Sequence, residues 1–124
     1  MPRFDAREVA RLIRRQRPNV IVGVPTLFDA LARDPALTGI DFAFLRAAFC
    51  GADTLPEPVR RAFESRVRAG GGDVRLLEGY GLTESVTAIM AMPRGQQRDG
   101  SIGLPFPDML AKICRPGSTE TAAD

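Results

Sequence analysis

Short apolar segments alternate along this chain with segments in which apolar residues recur every three or four positions. The runs at 19–24 and 45–51 are apolar almost throughout, which is typical of strands covered on both faces. Further apolar runs at 74–77 and 109–115 also indicate strands, and another apolar run lies at 86–92. Because helical patterns with short connections lie between the first three runs, we predict an α/β fold with a partial, mostly parallel sheet and flanking helices.

Three helices are predicted, and local signals mark where each begins and ends. The first begins at Asp5, whose side chain can accept from first-turn amides, and stops before Pro18. The second opens at Pro25, a residue that suits the first turn of a helix. The third is predicted to have Thr54 as its cap, at capping-box spacing from a glutamate, and to end at the glycines 70–72.

The length of 124 residues and the composition indicate one globular unit. Apolar residues make up 44% and charged residues 26% of the chain, which are ordinary values for a folded protein. We expect one α/β subdomain over 1–117 and a flexible tail over 118–124. Since there is neither a long apolar run nor a leader pattern, neither a transmembrane segment nor a signal peptide is expected.

Charge, histidine and cysteine content exclude several classes of function. The net charge is only +2 and the arginines are mixed with acidic residues, so nucleic-acid binding is not expected. The chain has no histidine, which excludes every catalytic triad, zinc site or general base that depends on this residue. Cys50 and Cys114 have neither the number nor the spacing of a disulfide framework, which favours free thiols in a cytoplasmic protein.

Two strand ends carry unusual residues, and ligands of open α/β sheets bind at the carboxyl ends of the strands. At the first strand end, Gly51 and Ala52 leave little side chain between the backbone and a flat ligand. At the second, which reads EGYGLTE over 78–84, Gly79 and Gly81 permit the backbone angles of a sharp turn. The pattern therefore predicts a tight turn after this strand.

Three side chains on the predicted turn are able to bind a nucleotide. Tyr80 offers a ring face for stacking, Thr83 a hydroxyl that can donate to a phosphate, and Glu84 the hard oxygen ligand that Mg²⁺ prefers. A purely structural interpretation is also open, with Thr83 as a helix cap and Glu84 as a first-turn acid. The residue types alone are compatible with both.

Four segments of the chain, in the right order, resemble one protein family. The motif YGLTE at 80–84 resembles the Tyr-Gly-x-Thr-Glu motif of the adenylate-forming (AMP-binding) enzymes, which include acyl-CoA synthetases, luciferases and peptide-synthetase adenylation domains. The segments 24–31, 45–64 and 100–108 resemble family segments on either side of this motif. The resemblance covers nearly the whole chain, but it corresponds only to a central part of the large N-terminal domain of these enzymes.

The resemblance also implies roles for individual residues. Those implied to bind the nucleotide surround its adenine and its phosphates: Gly51, Ala52, Asp53, Glu78, Gly79, Tyr80, Gly81 and Thr83. Thr83 and Glu84 are the implied catalytic residues, Thr83 at the phosphates and Glu84 at the Mg²⁺ ion. Val24 and Gly81 would border the pocket for the carboxylic acid, and Phe28 could line an acyl channel or pack in the core.

The implied activity is that of an ATP-dependent acid–thiol ligase. A carboxylate attacks the α-phosphate of ATP to give an acyl-adenylate and pyrophosphate, and the thiol of coenzyme A then displaces AMP. ATP, Mg²⁺, coenzyme A and a small carboxylic acid are the implied cofactors and partners. Leu82 and the LPFPD sequence at 104–108 are more similar to synthetases for fatty or other acyl acids than to peptide-synthetase adenylation domains, which remain the alternative.

Several parts of the family pattern have no match in this sequence. These are the upstream glycine-rich phosphate loop, the downstream ribose-binding aspartate and the C-terminal domain with its lysine, and Lys112 does not stand in the context of that lysine. We therefore expect the isolated chain not to catalyse adenylation. Two alternatives are a non-catalytic fragment that folds and binds nucleotide weakly, and a module that forms homo-oligomers through exposed sheet edges.

Overall fold

The computed structural model describes residues 5–85 and 88–122, and within these ranges it contains three α-helices and five strands. In chain order they are α1 (Ala6–Gln16), β1 (Val20–Gly23), α2 (Pro25–Arg33), β2 (Ala47–Cys50), α3 (Glu57–Ala69), β3 (Leu76–Gly81), β4 (Ala88–Ala91) and β5 (Leu104–Pro105). Two short 3₁₀ turns lie at Pro35–Leu37 and Thr83–Ser85. None of the helices in these ranges has the length and apolar character needed to cross a bilayer.

The five strands form one open sheet in the order β1-β2-β3-β4-β5. The pairs β1–β2 and β2–β3 are parallel, whereas β3–β4 and β4–β5 are antiparallel. Helices α2 and α3 supply the crossovers that parallel neighbours require, and no helical crossover separates β3 from β4 in the described residues. The predicted α/β class is confirmed, and the description of the sheet as mostly parallel applies to its first three strands.

The hydrophobic core lies between the three helices and one face of the sheet. Ile21, Ala48 and Leu76 are in register across β1, β2 and β3 and belong to this core. Phe28 of α2 and Phe63 of α3 pack edge to face above them, with ring centroids 4.9 Å apart. This aromatic pair joins the two crossover helices, which make extensive contact with each other.

The opposite face of the sheet is uncovered along its edge strand β1 in the described residues. Val22 and Phe49 are in register on β1 and β2, and each follows a core residue directly. Because successive side chains of a strand point to opposite faces, these two point away from the helices. Val22 is 71% exposed and Val20 is also exposed. The prediction that 19–24 forms a strand covered on both faces is therefore wrong, because β1 is an edge strand with helices on one side only.

The helix boundaries agree with the local signals in most places. Asp5 caps α1, since its Oδ1 accepts from the Arg7 amide at 2.8 Å. Helix α2 opens at Pro25, and Gly70 is the C-cap of α3, both as predicted. These signals succeed because each depends on only a few neighbouring residues.

The predicted cap of the third helix is wrong. Helix α3 begins at Glu57, after Pro56, and has no side-chain cap. Because the residue before a proline is disfavoured in the helical region, Leu55 does not enter a helix, and the start is delayed beyond Thr54. The Thr54 amide instead donates to Asp53 Oδ1 at 2.7 Å.

The C-terminal segment also differs from its prediction. The expected strand at 109–115 is absent from the described residues, where an isolated bridge joins Cys114 to Thr121. Leu110 is 103% exposed, so this apolar run lacks the neighbour that would make it a strand. The last strand in the described part of the chain is β5. The apolar run at 86–92 contains strand β4, which is Ala88–Ala91. Residues 86–87 lie outside the described ranges.

Candidate functional site

A groove of about 950 Å³ lies at the carboxyl ends of β2 and β3 and is flanked by β4 and β5. Its lining is mostly apolar and includes backbone of the two strand ends. Residues that define the groove include Val22, Phe49, Gly51, Tyr80, Thr83, Met90, Leu104 and Phe106. A large concave apolar surface with a few polar groups is the usual form of a small-molecule site.

The YGLTE motif enters the groove from a strand and not from a tight turn. Strand β3 continues through Gly79 to Gly81, and neither glycine has a positive φ. The prediction of a sharp turn at these glycines is therefore wrong, because Gly79 and Tyr80 pair with Ala91 and Met90 of β4. The turn comes later, at the 3₁₀ segment Thr83–Ser85.

The glycines of the two strand ends permit close approach of backbone. A Cβ atom on Gly51 would lie 3.3 Å from the carbonyl oxygen of Gly79, and one on Gly79 would lie 3.4 Å from that of Met90. Both contacts are tight for a real side chain. Small residues at these positions keep the sheet surface flat at one end of the groove.

The turn after β2 is held by hydrogen bonds and contains one strained residue. The Gly51 amide donates to the Gly23 carbonyl at 3.0 Å. Ala52 has a φ of +68°, a left-handed conformation that costs energy for a residue with a Cβ. Gly51 and Ala52 line the groove, whereas Asp53 does not and holds the Thr54 amide. Strained backbone of this kind is concentrated at binding sites.

Three predicted nucleotide-binding side chains follow one another along the chain at this end. Tyr80 is 40% exposed and lines the groove together with Gly81 and Thr83. Glu84 follows Thr83 on the exposed 3₁₀ turn, outside the groove lining. The part of the chain that the structure describes contains no cluster of three metal-ligating side chains. Glu84 is therefore a single exposed carboxylate beside a hydroxyl.

Glu78 fastens the end of β3 to the segment that precedes α3. Its Oε1 accepts from the Leu55 amide at 3.2 Å. Glu78 also lines a second cavity of about 260 Å³, together with Arg60 and Asp99. The position of Glu78, which is predicted to bind the nucleotide, is thus set by the loop that follows β2.

Arg60 and Asp99 were not predicted as site residues, and they form an ion pair of 2.7 Å beside Glu78. Arg60 is buried and lies on the same face of α3 as the core residues Phe63 and Val67. A charged residue at an apolar position of a helix is the signal in the sequence by which it could have been found.

The predicted acid-pocket residues lie apart from one another. Val24 follows β1 as the N-cap residue of α2 and is partly exposed, outside the groove lining. Phe28 is 0% exposed and packs on Phe63 on the helix side of the sheet. Phe28 thus belongs to the core cluster, and its role in an acyl channel stays a prediction. Gly81 does line the groove.

Cys50 lies at the end of β2 and contributes to the groove lining. Burial raises the pKa of its thiol to about 11, and the nearby carboxylates of Glu78 and Asp53 act in the same direction. The thiol is therefore protonated at neutral pH. It presents an apolar surface there, not a nucleophile.

Comparison with known proteins identifies relatives of this chain. The family profile described as AMP-binding enzyme matches residues 1–123. The chain is 33% identical to the long-chain-fatty-acid–CoA ligase of Bacillus subtilis strain 168 over 124 residues, which are 99% of this chain and 21% of that protein. It is 30% identical to the probable 4-coumarate–CoA ligase 1 of Dictyostelium discoideum over 120 residues, 97% of this chain and 21% of that protein.

A similar structure is that of apo MatB from Rhodopseudomonas palustris, with a TM-score of 0.78 and 26% identity. The alignment covers 99% of this chain and 23% of that one. The chain spans about a fifth of the length of the curated relatives it matches. The match of the family profile over almost every residue shows that this chain belongs to the AMP-binding enzyme family.

Proposed function

We propose that this chain forms part of an ATP-dependent acid–thiol ligase that activates a carboxylic acid as an acyl-adenylate and transfers the acyl group to coenzyme A. The observation that carries the proposal is the groove at the carboxyl ends of β2 and β3, which Tyr80 and Thr83 line, with Glu84 next in the chain. The two curated relatives compared above are both named as CoA ligases, which supports the coenzyme A acceptor.

The strand ends fit a nucleotide base in their shape. Gly51 and Gly79 leave a flat surface, and Tyr80 presents part of its ring to the groove. We place the adenine against these residues, with Tyr80 stacking on it and Glu78 near its edge. The base would then lie beside backbone and carboxylate groups that can pair with its polar edge.

The polar groups after β3 fit the phosphates and a magnesium ion. The Thr83 hydroxyl can donate to a phosphate oxygen, and the exposed Glu84 carboxylate can supply one oxygen ligand. A single protein carboxylate is sufficient for Mg²⁺, since phosphates and water complete its octahedral shell. When bound, the ion would neutralise negative charge on the phosphates.

The apolar lining of the groove favours an acid with a hydrocarbon body. Phe49, Met90, Leu104 and Phe106 are among the apolar residues that line it. We propose a fatty or other acyl acid, in keeping with Leu82, which also lines the groove. An aromatic acid would bury a similar apolar area, and comparing the two classes as ligands decides between them.

The sequence provides a specific optical probe for the test. Tyr80 is the only tyrosine and the chain has no tryptophan, so intrinsic fluorescence reports on the motif alone. We expect ATP with Mg²⁺ to quench this emission, because a stacked base changes the surroundings of the ring. Thr83→Ala should weaken binding by about tenfold, the effect of losing one hydrogen bond to a charged group.

Two controls make the nucleotide test decisive. Glu84→Gln should remove the magnesium dependence of the titration, while Glu120→Gln, an exposed acid near the C-terminus, should not. An emission that does not respond to ATP at any magnesium concentration would exclude the proposed nucleotide site.

We also propose that the 124-residue chain binds nucleotide without turnover, since its sequence has no match for the family's phosphate loop or C-terminal lysine. The corresponding assay is acid-dependent release of pyrophosphate from ATP and Mg²⁺ with a panel of fatty and aromatic acids. Turnover above the acid-free background would show that this part of the proposal is wrong.

A further inference from the structure

Arg60 is a buried charge on a helix face that otherwise packs in the core. Its side chain is 11% exposed, and its neighbours on the same face of α3 are Phe63 and Val67. A buried guanidinium is costly unless it is paired. Its Nη1 lies 2.7 Å from Asp99 Oδ1, and its Nη2 lies 3.9 Å from Glu57 Oε1.

The partner Asp99 lies in the β4–β5 connection, residues 92–103. This connection is fixed at both ends. At its start the Met92 amide donates to the Glu78 carbonyl at 3.0 Å. At its end a Cβ on Gly103 would lie 2.0 Å from the Ala91 carbonyl oxygen, so the backbones are in close contact.

The middle of the connection has few other hydrogen bonds or ion pairs to the rest of the described chain. Gln97 Nε2 reaches the Leu76 carbonyl only at 3.5 Å, and Gln97 Oε1 is buried without a partner in the described residues. The Gln96 and Ser101 amides bond within the connection itself. The Arg60–Asp99 pair is therefore the short side-chain contact that holds the middle of this segment against α3.

The connection leads directly into one wall of the groove. Strand β5 has only two residues, Leu104 and Pro105, and its described pairing is with β4 alone. Phe106 follows, with its amide donating to the Ile89 carbonyl at 3.0 Å. A strand this short has little stability of its own, so its position depends on the segment before it.

We propose that Arg60 is a positioning residue: through Asp99 it holds the β4–β5 connection against α3 and thereby fixes the wall of the groove formed by 104–106. The role of that wall in binding the substrate rests on the proposed function. The positioning itself rests only on the contacts of Arg60 and of the connection.

The test uses Asp99 and not Arg60, because Asp99 lies at the surface and its substitution leaves the packed face of α3 unchanged. Asp99 is 70% exposed, so Asp99→Asn can keep the fold while removing its charge. We expect hydrogen exchange at the Phe106 amide to become about five- to tenfold faster, the effect of losing a charge-assisted contact. Exchange at the Phe42 amide, which donates to Gly70 on the helix side, should not change.

A second readout follows from the register of the sheet. Pro105 pairs with Met90, which pairs with Tyr80. Displacement of β5 should therefore make the emission of Tyr80 more accessible to quenching by acrylamide in Asp99→Asn. Asp99→Glu keeps the charge and should restore both values towards those of the unchanged chain.

The control is Asp73→Asn, an exposed aspartate before β3 for which the described contacts include no side-chain hydrogen bond. It should alter neither readout. Unchanged exchange at Phe106 in Asp99→Asn would overturn the proposal, and so would a failure of Asp99→Glu to restore it. Neither readout needs a ligand. A failure of ATP to bind would therefore count against the proposed function, whereas the positioning role of Arg60 would still be decided by hydrogen exchange and acrylamide quenching.

Discussion

The thiol of Cys50 is a buried group whose ionisation should make the stability of the fold depend on pH. Burial, with Glu78 and Asp53 nearby, raises its pKa from 9.0 to about 11. Between these values the unfolded chain loses the proton before the folded chain does, so stability falls as pH rises. The contribution is fully present below about pH 9 and is lost by about pH 11.

We expect the free energy of unfolding to decrease by about 2 to 3 kcal/mol across this range on account of Cys50 alone. Urea unfolding of the unchanged chain and of Cys50→Ala at a series of alkaline pH values measures it as a difference. The alanine variant should lack this part of the pH dependence. Cys114→Ala, which changes a partly buried thiol elsewhere, is the matched control. Equal pH profiles for Cys50→Ala and the unchanged chain would contradict the assignment.

At the residue scale the sequence brought candidate residues together, and the role of each in binding a nucleotide stays a prediction. Tyr80 and Thr83 line the groove, as expected for residues of one site. The role of Phe28 was ambiguous, because an aromatic residue on the apolar face of a helix is equally suited to packing in a core and to lining a channel. Arg60 and Asp99 were missed, since nothing local connects a residue of α3 with one that follows β4.

At the element scale, Gly103 is the position where β4 and β5 leave no room for a side chain. It has a φ of +95°, and a Cβ would lie 2.0 Å from the Ala91 carbonyl oxygen. We expect Gly103→Ala to lower the free energy of unfolding by about 3 kcal/mol, from backbone strain together with a steric clash. Denaturant unfolding provides the measurement.

Gly100 is the natural comparison for that substitution. It also has a positive φ, of +73°, but no atom of the described residues lies within 4 Å of the position that a Cβ would take there. Gly100→Ala should therefore show only the cost of the left-handed conformation, about 1 kcal/mol. Equal losses in the free energy of unfolding would show that the close approach of β4 and β5 is not the cause of the loss at Gly103.

Most helix boundaries could be predicted from sequence, whereas the pairing of the strands that follow β3 could not. Asp5, Pro25 and Gly70 act on adjacent backbone groups, so their effects are visible locally. The direction of β4 depends on how the chain returns after β3, and the failure of 109–115 to form a strand depends on which neighbours it finds. Both are long-range properties, and an apolar run carries no information about them.

At the scale of the whole molecule, the sheet has one face covered by helices and another that is open along β1, and this second face is called the open face. The helices bury the row that contains Ile21, while Val20 and Val22 of the edge strand are exposed. Leu110 and Ile113 add exposed apolar surface near the C-terminus. Exposed apolar side chains on a sheet face are available to contact another surface. The sequence pattern of β1 indicated burial on both sides, and this chain covers only one.

Substitution of Val22 tests whether the open face governs the solution behaviour of the chain. Val22→Lys places a charge on the exposed side of the edge strand, which discourages edge-to-edge pairing. We expect lower concentration-dependent light scattering and weaker binding of an apolar dye. The free energy of unfolding should change by only about 0.5 kcal/mol, since the side chain is already in solvent.

Leu12→Lys adds the same charge to an exposed apolar position of α1, remote from the open face, and serves as the control. Both variants raise the net charge equally, so a general effect of charge on solubility would appear in both. A reduction of scattering and dye binding confined to Val22→Lys would assign them to the sheet face. The same reduction in both variants would show that net charge, and not the uncovered face, controls association of this chain.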